Sequence, residues 1–207
     1  MFHGTSHITY RTTIDSEVSN TLLTHQYFNT KLPEHQGSLI VDGVASNEHD
    51  EAILQFVTNQ QLPYENIEYW FQSKTTEDSF LSPHCDYNVL TRINQDFNPH
   101  EWIKAGKKDE FISPLTIAAY LEISDDLIGG ELCISSATWE EFPWPYEPTR
   151  EELIDFKPYE INLPVNSEVL YFQGSMNYHW VEKVIRGSRK SLLINFWPSR
   201  VKKVNIY

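Results

Sequence analysis

The spacing of hydrophobic and polar positions changes about a third of the way along the chain. Before that point, residues 15–28 (DSEVSNTLLTHQYF) and 46–63 (SNEHDEAILQFVTNQQLP) place apolar side chains three or four positions apart. That spacing is typical of amphipathic helices that bury one face. The candidate N-caps are Asp15 or Ser16 for the first helix and Ser46 or Asn47 for the second. The pattern therefore predicts helices that cover one side of a larger structure.

From Glu65 onward, short runs of β-forming residues alternate with turn residues. The predicted strands are 67–72, 115–124, 129–136, 167–172, 179–185 and 189–197. The last two flank an Arg-Gly-Ser turn around Gly187, which indicates a hairpin. Helices followed by six or seven short strands predict a mainly β protein, a jelly roll or barrel with the N-terminal helices packed outside. A doubly wound parallel sheet is disfavoured because the strands do not alternate with helical stretches.

Two insertions interrupt the strands, at 94–111 and 136–160. The second is rich in Trp, Tyr, Pro and Glu, and Thr149 followed by Glu152 resembles a capping box that opens a short helix. Long loops in compact domains often serve as lids. The hypothesis for this loop is that it covers the mouth of a site and helps to select the substrate, through Trp139, Trp144 and Tyr146.

Composition and charge narrow the possible classes of protein. A chain of 207 residues fits one domain, with a helical portion at about 1–64 and a β core at about 65–207. The net charge of −13 disfavours nucleic acid as a partner, although seven of the 16 basic residues fall within 183–203. Two cysteines, no apolar run of membrane-spanning length and no secretory signal predict a cytoplasmic protein with no membrane association.

The sharpest chemical feature is a histidine and a carboxylate two positions apart, His84 and Asp86. In a strand they project from the same face, while Cys85 between them points to the other. A lone pair of this kind is often only a hydrogen-bonded histidine, so a third ligand is needed. His179 opens an apolar strand in the C-terminal half. Two histidines and one carboxylate form the facial triad of non-haem Fe(II) oxygenases, which leaves three metal positions vacant.

Ten positions after His179 stands Arg189, followed by Ser191 on the same face of the predicted strand. A buried guanidinium is costly without a carboxylate partner, and its planar fork suits a bidentate one. A dicarboxylate with one end on the metal and the other on Arg189 fits this arrangement. The alternative is a surface arginine beside a turn.

Three segments together resemble a known family: HCD at 84–86, AAYLEISDDLIGGEL at 118–132 and YHWVEKVIRGSRKSLLINFW at 178–197. As an ordered set they are similar to the Fe(II)/2-oxoglutarate-dependent dioxygenases, and most similar to the prolyl 4-hydroxylase-like branch. The resemblance covers about residues 67–197. It implies a double-stranded β-helix (jelly-roll) core and an oxidoreductase that hydroxylates a C–H bond and releases succinate and CO2.

The resemblance also implies roles for individual residues. Fe(II) is bound by His84, Asp86 and His179, with no catalytic residue beyond these ligands. The distal carboxylate of 2-oxoglutarate is bound by Arg189, Ser191 and Tyr120, although Tyr120 in an apolar strand also fits a core position. The further requirements are O2 and ascorbate as a reductant. Asn195 stands where some prolyl hydroxylases have an aromatic residue. The resemblance therefore indicates the type of reaction more firmly than the substrate.

Several functions stay open at the level of sequence. A peptidyl proline in a peptide or protein is the leading substrate, and a free amino acid or another small metabolite is the alternative. A cupin-like isomerase or epimerase would keep the metal but would not need Arg189 to anchor 2-oxoglutarate. A non-catalytic jelly-roll binding module would depend on none of the three metal ligands.

Overall fold

The computed structural model describes residues 9–29, 38–62, 66–78, 80–86, 98–107, 112–113 and 115–197. The strands in these ranges are β1 (Tyr10–Thr13), β2 (Ser38–Val41), β3 (Asn66–Thr75), β4 (Leu81–His84), β5 (Thr116–Ile123), β6 (Ile128–Gly129), β7 (Leu132–Thr138), β8 (Tyr159–Asn162), β9 (Glu168–Phe172), β10 (Asn177–Val181), β11 (Val184–Arg186) and β12 (Ser188–Trp197). The helices are α1 (Ser16–Leu23), α2 (Gln26–Asn29), α3 (Glu48–Asn59), α4 (Pro99–Lys104) and α5 (Arg150–Phe156), with a 3-10 turn at Trp139–Glu141. No helix in the described ranges has both the length and the apolar character needed to cross a membrane.

Two antiparallel sheets face each other. The larger has six strands in the order β1-β9-β5-β12-β3-β2, and the smaller has four in the order β4-β10-β7-β8. A separate two-stranded sheet joins β11 to β6. Side chains from both larger sheets meet in one apolar cluster, made of Ala118, Tyr120, Leu132, Ile134, Leu170, Phe172 and Val181. The space between these two sheets is therefore one shared interior, as the predicted jelly roll requires.

Successive side chains along a strand of the six-stranded sheet point alternately into this interior and toward the helices. On β5, Ala118 and Tyr120 point between the sheets, while Ile117, Ala119 and Leu121 join the cluster that packs under the helices. That helical cluster includes buried residues of both long helices, such as Leu22 and Ile53. The predicted position of the N-terminal helices, outside the β core, is confirmed.

Local capping explains where the two long helices begin. The Asp15 side chain accepts a hydrogen bond from the Glu17 amide at 2.8 Å. The Asn47 side chain accepts from the His49 and Asp50 amides at 2.9 and 3.0 Å. Both caps satisfy amides that a helix start leaves unpaired. They confirm one of the two candidates at each helix.

Residues 136–160 cover the outer face of the four-stranded sheet. Trp139 is buried there in an apolar cluster that also contains Cys133, Leu153 and Trp180. The predicted capping box is present, because the Thr149 hydroxyl accepts from the Glu152 amide and the Glu152 carboxylate accepts from the Thr149 amide. The segment is thus a packed outer layer. Of the three aromatic residues in the lid hypothesis, Trp139 is a core residue, whereas Trp144 and Tyr146 are exposed.

The hairpin predicted around Gly187 is wrong. Gly187 does form a tight turn, with a positive φ of 77°, but the strands on its two sides do not pair with each other. β10 pairs with β4 and β7, β11 pairs with β6, and β12 lies between β3 and β5 in the other sheet. The turn therefore carries the chain from one sheet to the other, and His179 and Arg189 face each other across the interior.

The helical first third also contains two strands that the pattern does not predict. β1 pairs with β9, and β2 pairs with β3, so they form the two edges of the six-stranded sheet. Each has only four residues. A strand this short gives little periodicity, and its position depends on the strand that it joins.

The hydrogen bond between Tyr69 and Asp50 ties the helical layer to the six-stranded sheet. The Tyr69 hydroxyl donates to Asp50 Oδ1 at 2.8 Å, and both residues are buried. Burial and this bond raise the pKa of Tyr69. We expect Tyr69→Phe to lower the free energy of unfolding by roughly 1–3 kcal/mol, since it leaves a buried carboxyl oxygen without this donor.

Urea titration followed by far-UV circular dichroism measures this change. The matched control is Tyr171→Phe, because the Tyr171 hydroxyl donates only to the neutral Gln60 amide, at 3.3 Å. The control should cost less than about 1 kcal/mol. Equal losses in both variants would contradict a special role for the Tyr69–Asp50 bond.

Candidate metal centre

His84, Asp86 and His179 converge at one end of the interior. His84 ends β4, Asp86 follows two residues later, and His179 lies in the middle of β10. Because His179 is paired directly with His84 in the sheet, their rings are neighbours, with centroids 4.3 Å apart. One ligand atom from each of the three residues lies within 4.8 Å of the other two. The three residues predicted to bind metal are therefore brought together.

The hydrogen bonds of the two imidazoles orient them toward Asp86. His84 Nδ1 lies 2.8 Å from the Ser82 carbonyl oxygen, and His179 Nδ1 lies 3.1 Å from the Asn177 carbonyl oxygen. A carbonyl oxygen can only accept, so each Nδ1 carries the proton and donates. Both Nε2 atoms then present a lone pair, each 3.7 Å from Asp86 Oδ1. Metal-binding histidines commonly donate their other ring N–H to a carbonyl or carboxylate oxygen in this way.

The three side chains differ in their access to solvent. The side chains of His179 and Asp86 are 3% and 2% exposed, whereas that of His84 is 32% exposed. The ring of Phe172 covers His179 edge-on, with centroids 5.1 Å apart. Solvent therefore reaches the centre from the side of His84, whereas His179 and Asp86 are shielded from it.

Gly174 lets the backbone approach Asp86 closely. The Asp86 amide donates to the Gly174 carbonyl at 2.9 Å. A Cβ at position 174 would lie 2.7 Å from Asp86 Oδ2 and 2.6 Å from Thr116 Oγ1, closer than side chains tolerate. Gly174 and Thr116 thus adjoin the centre, although their positions in the sequence predict no such role. The feature of the sequence that could have indicated this role is the position of Gly174, five residues before the proposed ligand His179.

Across the interior, the six-stranded sheet presents Arg189, Ser191 and Tyr120. Their exposed fractions are 3%, 1% and 0%, and Ser191 is paired directly with Tyr120 between β12 and β5. The Arg189 guanidinium lies 5.4 Å from the centroid of the Tyr120 ring. The structure therefore groups the three residues predicted to bind a dicarboxylate, on the sheet opposite the histidines.

These three residues leave hydrogen-bonding capacity unused. Within the described part of the chain, Arg189 Nε, Ser191 Oγ and the Tyr120 hydroxyl are buried without a hydrogen-bond partner. No carboxylate there lies within 4.0 Å of the guanidinium. Burial lowers the pKa of Arg189 and raises the pKa of Tyr120. Unpartnered buried polar groups are rare in native proteins, and such a group of donors fits an anionic ligand.

The cysteines and the other described histidines lie outside the centre. Cys85 points to the outer face of the four-stranded sheet, as alternation predicts, and burial raises its pKa. Cys133 packs in the same outer cluster, where burial raises its pKa to about 12. His25 and His49 contact each other on the helical side, and His100 contacts Trp139. The remaining histidines, at positions 3, 7 and 35, fall outside the described residues.

A groove of about 590 Å³ runs along the outer side of β4. Its walls come from β4, from the start of α5 and from the end of β10. The lining residues include Ser82, Pro83, Glu147, Arg150 and Glu182. The groove is lined by residues that precede His84 in β4, and His84, Asp86 and His179 are not among its lining residues.

Comparison with solved structures identifies the fold. A prolyl-4-hydroxylase from Pseudomonas putida shares 16% identity with a TM-score of 0.50, over 93% of this chain and 89% of that one. The viral collagen prolyl hydroxylase vCPH from Paramecium Bursaria Chlorella virus-1, in its 2OG complex, shares 11% identity with a TM-score of 0.50, over 93% and 98%. HygX from Streptomyces hygroscopicus, with nickel and 2-oxoglutarate bound, shares 10% identity with a TM-score of 0.53, over 93% and 83%.

These neighbours confirm the predicted fold class, a mainly β protein with a double-stranded β-helix (jelly-roll) core. Both the prolyl hydroxylases and HygX match over nearly the whole chain, so the likeness includes the N-terminal helices as well as the core. No protein-family model matches the sequence, and no curated protein matches it. The common fold is therefore visible in three dimensions where sequence similarity is too low to detect.

The guanidinium of Arg189, which is buried without a carboxylate among the described residues, should reduce the stability of the ligand-free protein. We expect Arg189→Met, which keeps the side-chain length and removes the charge, to raise the free energy of unfolding by roughly 1–3 kcal/mol. Urea titration in the presence of a chelator and without any dicarboxylate measures the change.

The matched control is Arg186→Met. Arg186 is exposed and lies 3.5 Å from an exposed carboxylate, that of Asp126, so its loss should change stability by no more than about 0.5 kcal/mol. A loss of stability in Arg189→Met would mean that the guanidinium is compensated in the folded protein, contrary to its surroundings.

Proposed function

We propose that this protein is an Fe(II)- and 2-oxoglutarate-dependent dioxygenase that hydroxylates a C–H bond. One observation carries the proposal: a two-histidine, one-carboxylate cluster on one sheet lies opposite a buried arginine, Arg189, whose Nε has no hydrogen-bond partner in the described part of the chain. An ordinary buried histidine cluster does not require such an arginine. A co-substrate with one carboxylate for the metal and another for Arg189 explains both halves of the site.

The metal in this proposal is Fe(II), held by His84, Asp86 and His179. Two imidazole nitrogens and one carboxylate oxygen are the donors of the non-haem Fe(II) facial triad. The two Nδ1 hydrogen bonds fix the tautomer and the plane of each ring. Nickel and iron are each present in a HygX structure of the same fold, which supports a divalent transition metal at this place.

The co-substrate in this proposal is 2-oxoglutarate, oriented by Arg189, Ser191 and Tyr120. A guanidinium can donate two parallel hydrogen bonds to one carboxylate, and the two hydroxyls can donate further ones. Each bond would satisfy an atom that otherwise stays buried without a partner. Binding is thus favoured both by charge pairing and by removal of the cost of those groups.

When bound, Fe(II) and 2-oxoglutarate supply the oxidising chemistry, in which O2-dependent decarboxylation to succinate and CO2 accompanies hydroxylation of the substrate. The residues of the chain have a smaller task. His179 and Asp86 lie in a nearly dry environment, with Phe172 against the His179 ring, so water is excluded from that side. Arg189 fixes the direction of the co-substrate. Ascorbate belongs to the proposal only as a reductant that restores Fe(II).

We also propose that residues 1–207 work as one domain in a reducing cytoplasm. The two larger sheets enclose one interior that contains both halves of the site. Cys85 and Cys133 are free and buried, which fits a compartment without disulfide formation.

Anaerobic addition of Fe(II) and 2-oxoglutarate to metal-free protein should produce the weak visible charge-transfer band of the chelated co-substrate. His179→Ala should abolish the band because it removes one of three ligands. Arg189→Ala should need at least about 30-fold more 2-oxoglutarate, since a lost buried charge pair costs about 2 kcal/mol or more. A spectrophotometric titration measures both effects.

His100→Ala is the control for loss of a histidine, because His100 lies in the outer layer beside Trp139, and it should keep the band. If folded wild-type protein gives no band with Fe(II) and 2-oxoglutarate in excess, the oxygenase proposal fails. A cupin-like isomerase would then be favoured by retained metal binding, and a binding module by its absence.

For the substrate, we propose a prolyl residue within a peptide or protein. One observation supports this choice: two neighbours of the same fold are named as prolyl hydroxylases. In this proposal the chain that flanks the target residue lies in the groove along β4, whose wall includes the residues just before His84. A free amino acid or other small metabolite is the alternative, because Asn195 replaces an aromatic residue of some prolyl hydroxylases.

Proline-containing peptides should stimulate succinate release, and mass spectrometry should find one added oxygen atom on proline. Free proline should not stimulate the reaction. Glu147→Trp, which narrows the groove from an exposed position, should raise KM for the peptide roughly tenfold, equivalent to about 1.4 kcal/mol, and should leave the charge-transfer band unchanged. Stimulation by a free amino acid but by no peptide would support the alternative substrate class.

A further inference from the structure

We propose that Thr116 and Asn195 position the metal-binding carboxylate of Asp86. The proposal rests on the proposed metal role of Asp86 and extends it to two residues on the opposite sheet. Both are buried, with exposed fractions of 0% and 1%. They lie on the same faces of β5 and β12 as Tyr120 and Arg189, and so they point into the interior.

Thr116 and Asn195 form one hydrogen-bonded pair. They are direct cross-strand partners between β5 and β12, and the Thr116 hydroxyl lies 2.5 Å from Asn195 Oδ1. The pair stands at the end of the interior that holds the metal centre, whereas Arg189 stands toward the other end of the same strand. Besides this bond, the two groups have further hydrogen-bonding capacity, because a hydroxyl can both donate and accept and an amide carries two donor hydrogens.

Asp86 is the buried group beside this pair whose carboxylate still has an oxygen without a donor. Asp86 Oδ2 is buried and has no hydrogen bond within the described part of the chain, while Asp86 Oδ1 is turned toward both imidazoles. Thr116 Oγ1 and Asp86 Oδ2 each lie within 2.7 Å of the point where a Cβ at position 174 would stand. The missing side chain of Gly174 therefore leaves the hydroxyl and the carboxylate on either side of one small gap.

The direction of the hydrogen bonds follows from the amide of Asn195. An asparagine amide can present either its oxygen or its nitrogen at nearly the same place. With the nitrogen toward Thr116, Asn195 donates to the hydroxyl, and the hydroxyl proton is free to point across the gap to Asp86 Oδ2. The two atoms are not hydrogen-bonded in the structure, but in this orientation the Thr116 hydroxyl is a donor that Oδ2 can use, which it is not in the opposite orientation.

A donor on Oδ2 has a clear consequence for the metal. It holds the carboxylate plane and leaves Oδ1 as the single oxygen for the ion, so Asp86 binds through one oxygen and the remaining metal positions stay open. Substitution of a residue that hydrogen-bonds a metal ligand typically lowers metal affinity by about 10- to 100-fold. Thr116 and Asn195 are thus positioning residues that act through Asp86.

The test is an anaerobic titration of metal-free protein with Co(II), followed by its visible absorption, which does not require turnover. Thr116→Val keeps the shape of the side chain and removes the hydroxyl, so we expect about tenfold or greater weakening of Co(II) binding and an altered Co(II) spectrum. Thr116→Ser keeps the hydroxyl and should bind Co(II) within about twofold of wild type.

Thermal unfolding of the metal-free variants separates positioning from folding. A merely structural role predicts that Thr116→Val lowers stability without a specific change in the Co(II) spectrum. Asn195→Asp gives a second test that does not depend on Thr116→Val being folded. An ionised aspartate can only accept, so it retains the Thr116 proton and should weaken Co(II) binding as Thr116→Val does.

The outcomes distinguish this inference from the function on which it rests. If wild type binds Co(II) and Thr116→Val or Asn195→Asp binds it equally well with the same spectrum, the positioning role is overturned and the metal site is retained. If wild type itself binds no Co(II), the proposed metal function fails, and the positioning role fails with it.

Discussion

The interior between the two larger sheets depends on one constraint: Arg189 is buried there, and no carboxylate of the described residues pairs with it. Arg189 is 3% exposed, and its Nε has no partner in the described part of the chain. Such a group reduces stability, so the surrounding structure must be held together by other contacts. Two apolar clusters provide them, one between the helices and the six-stranded sheet, the other on the outer face of the four-stranded sheet. The interior between the sheets is thereby free to hold polar groups for a ligand.

Features that depend on local sequence were the ones that could be predicted. The caps at Asp15 and Asn47 satisfy amides only two or three residues away, so a short stretch of sequence contains both partners. The common face of Arg189 and Ser191 follows from the two-residue period of a strand, whichever strand it joins. Much of the candidate site was predictable for this reason: each ligand or anchor is recognisable by residue type and spacing, and the family resemblance supplied their order.

Features that depend on distant partners could not be predicted in the same way. Gly187 needs a positive φ both in a hairpin and in a crossover between sheets, so its local sequence is compatible with either. The choice is made by β12, which has partners on both sides, β3 and β5, and therefore no free edge for β10. Gly174 is similar, because its lack of a side chain matters only through Thr116 and Asp86, which lie far away in sequence. The edge strands β1 and β2 are too short to show a period.

The place where the two sheets meet explains how the two halves of the site can act together. The proposed metal ligands belong to β4, the residues just after it and β10, while the residues proposed to bind the anion belong to β5 and β12, in the other sheet. The turn at Gly174 joins β9 of one sheet to β10 of the other, and its backbone bonds the Asp86 amide. Any shift between the sheets must therefore move Asp86 relative to Arg189. A ligand that reaches from the metal to Arg189 would oppose such a shift, and so metal and dicarboxylate should each favour the geometry that binds the other.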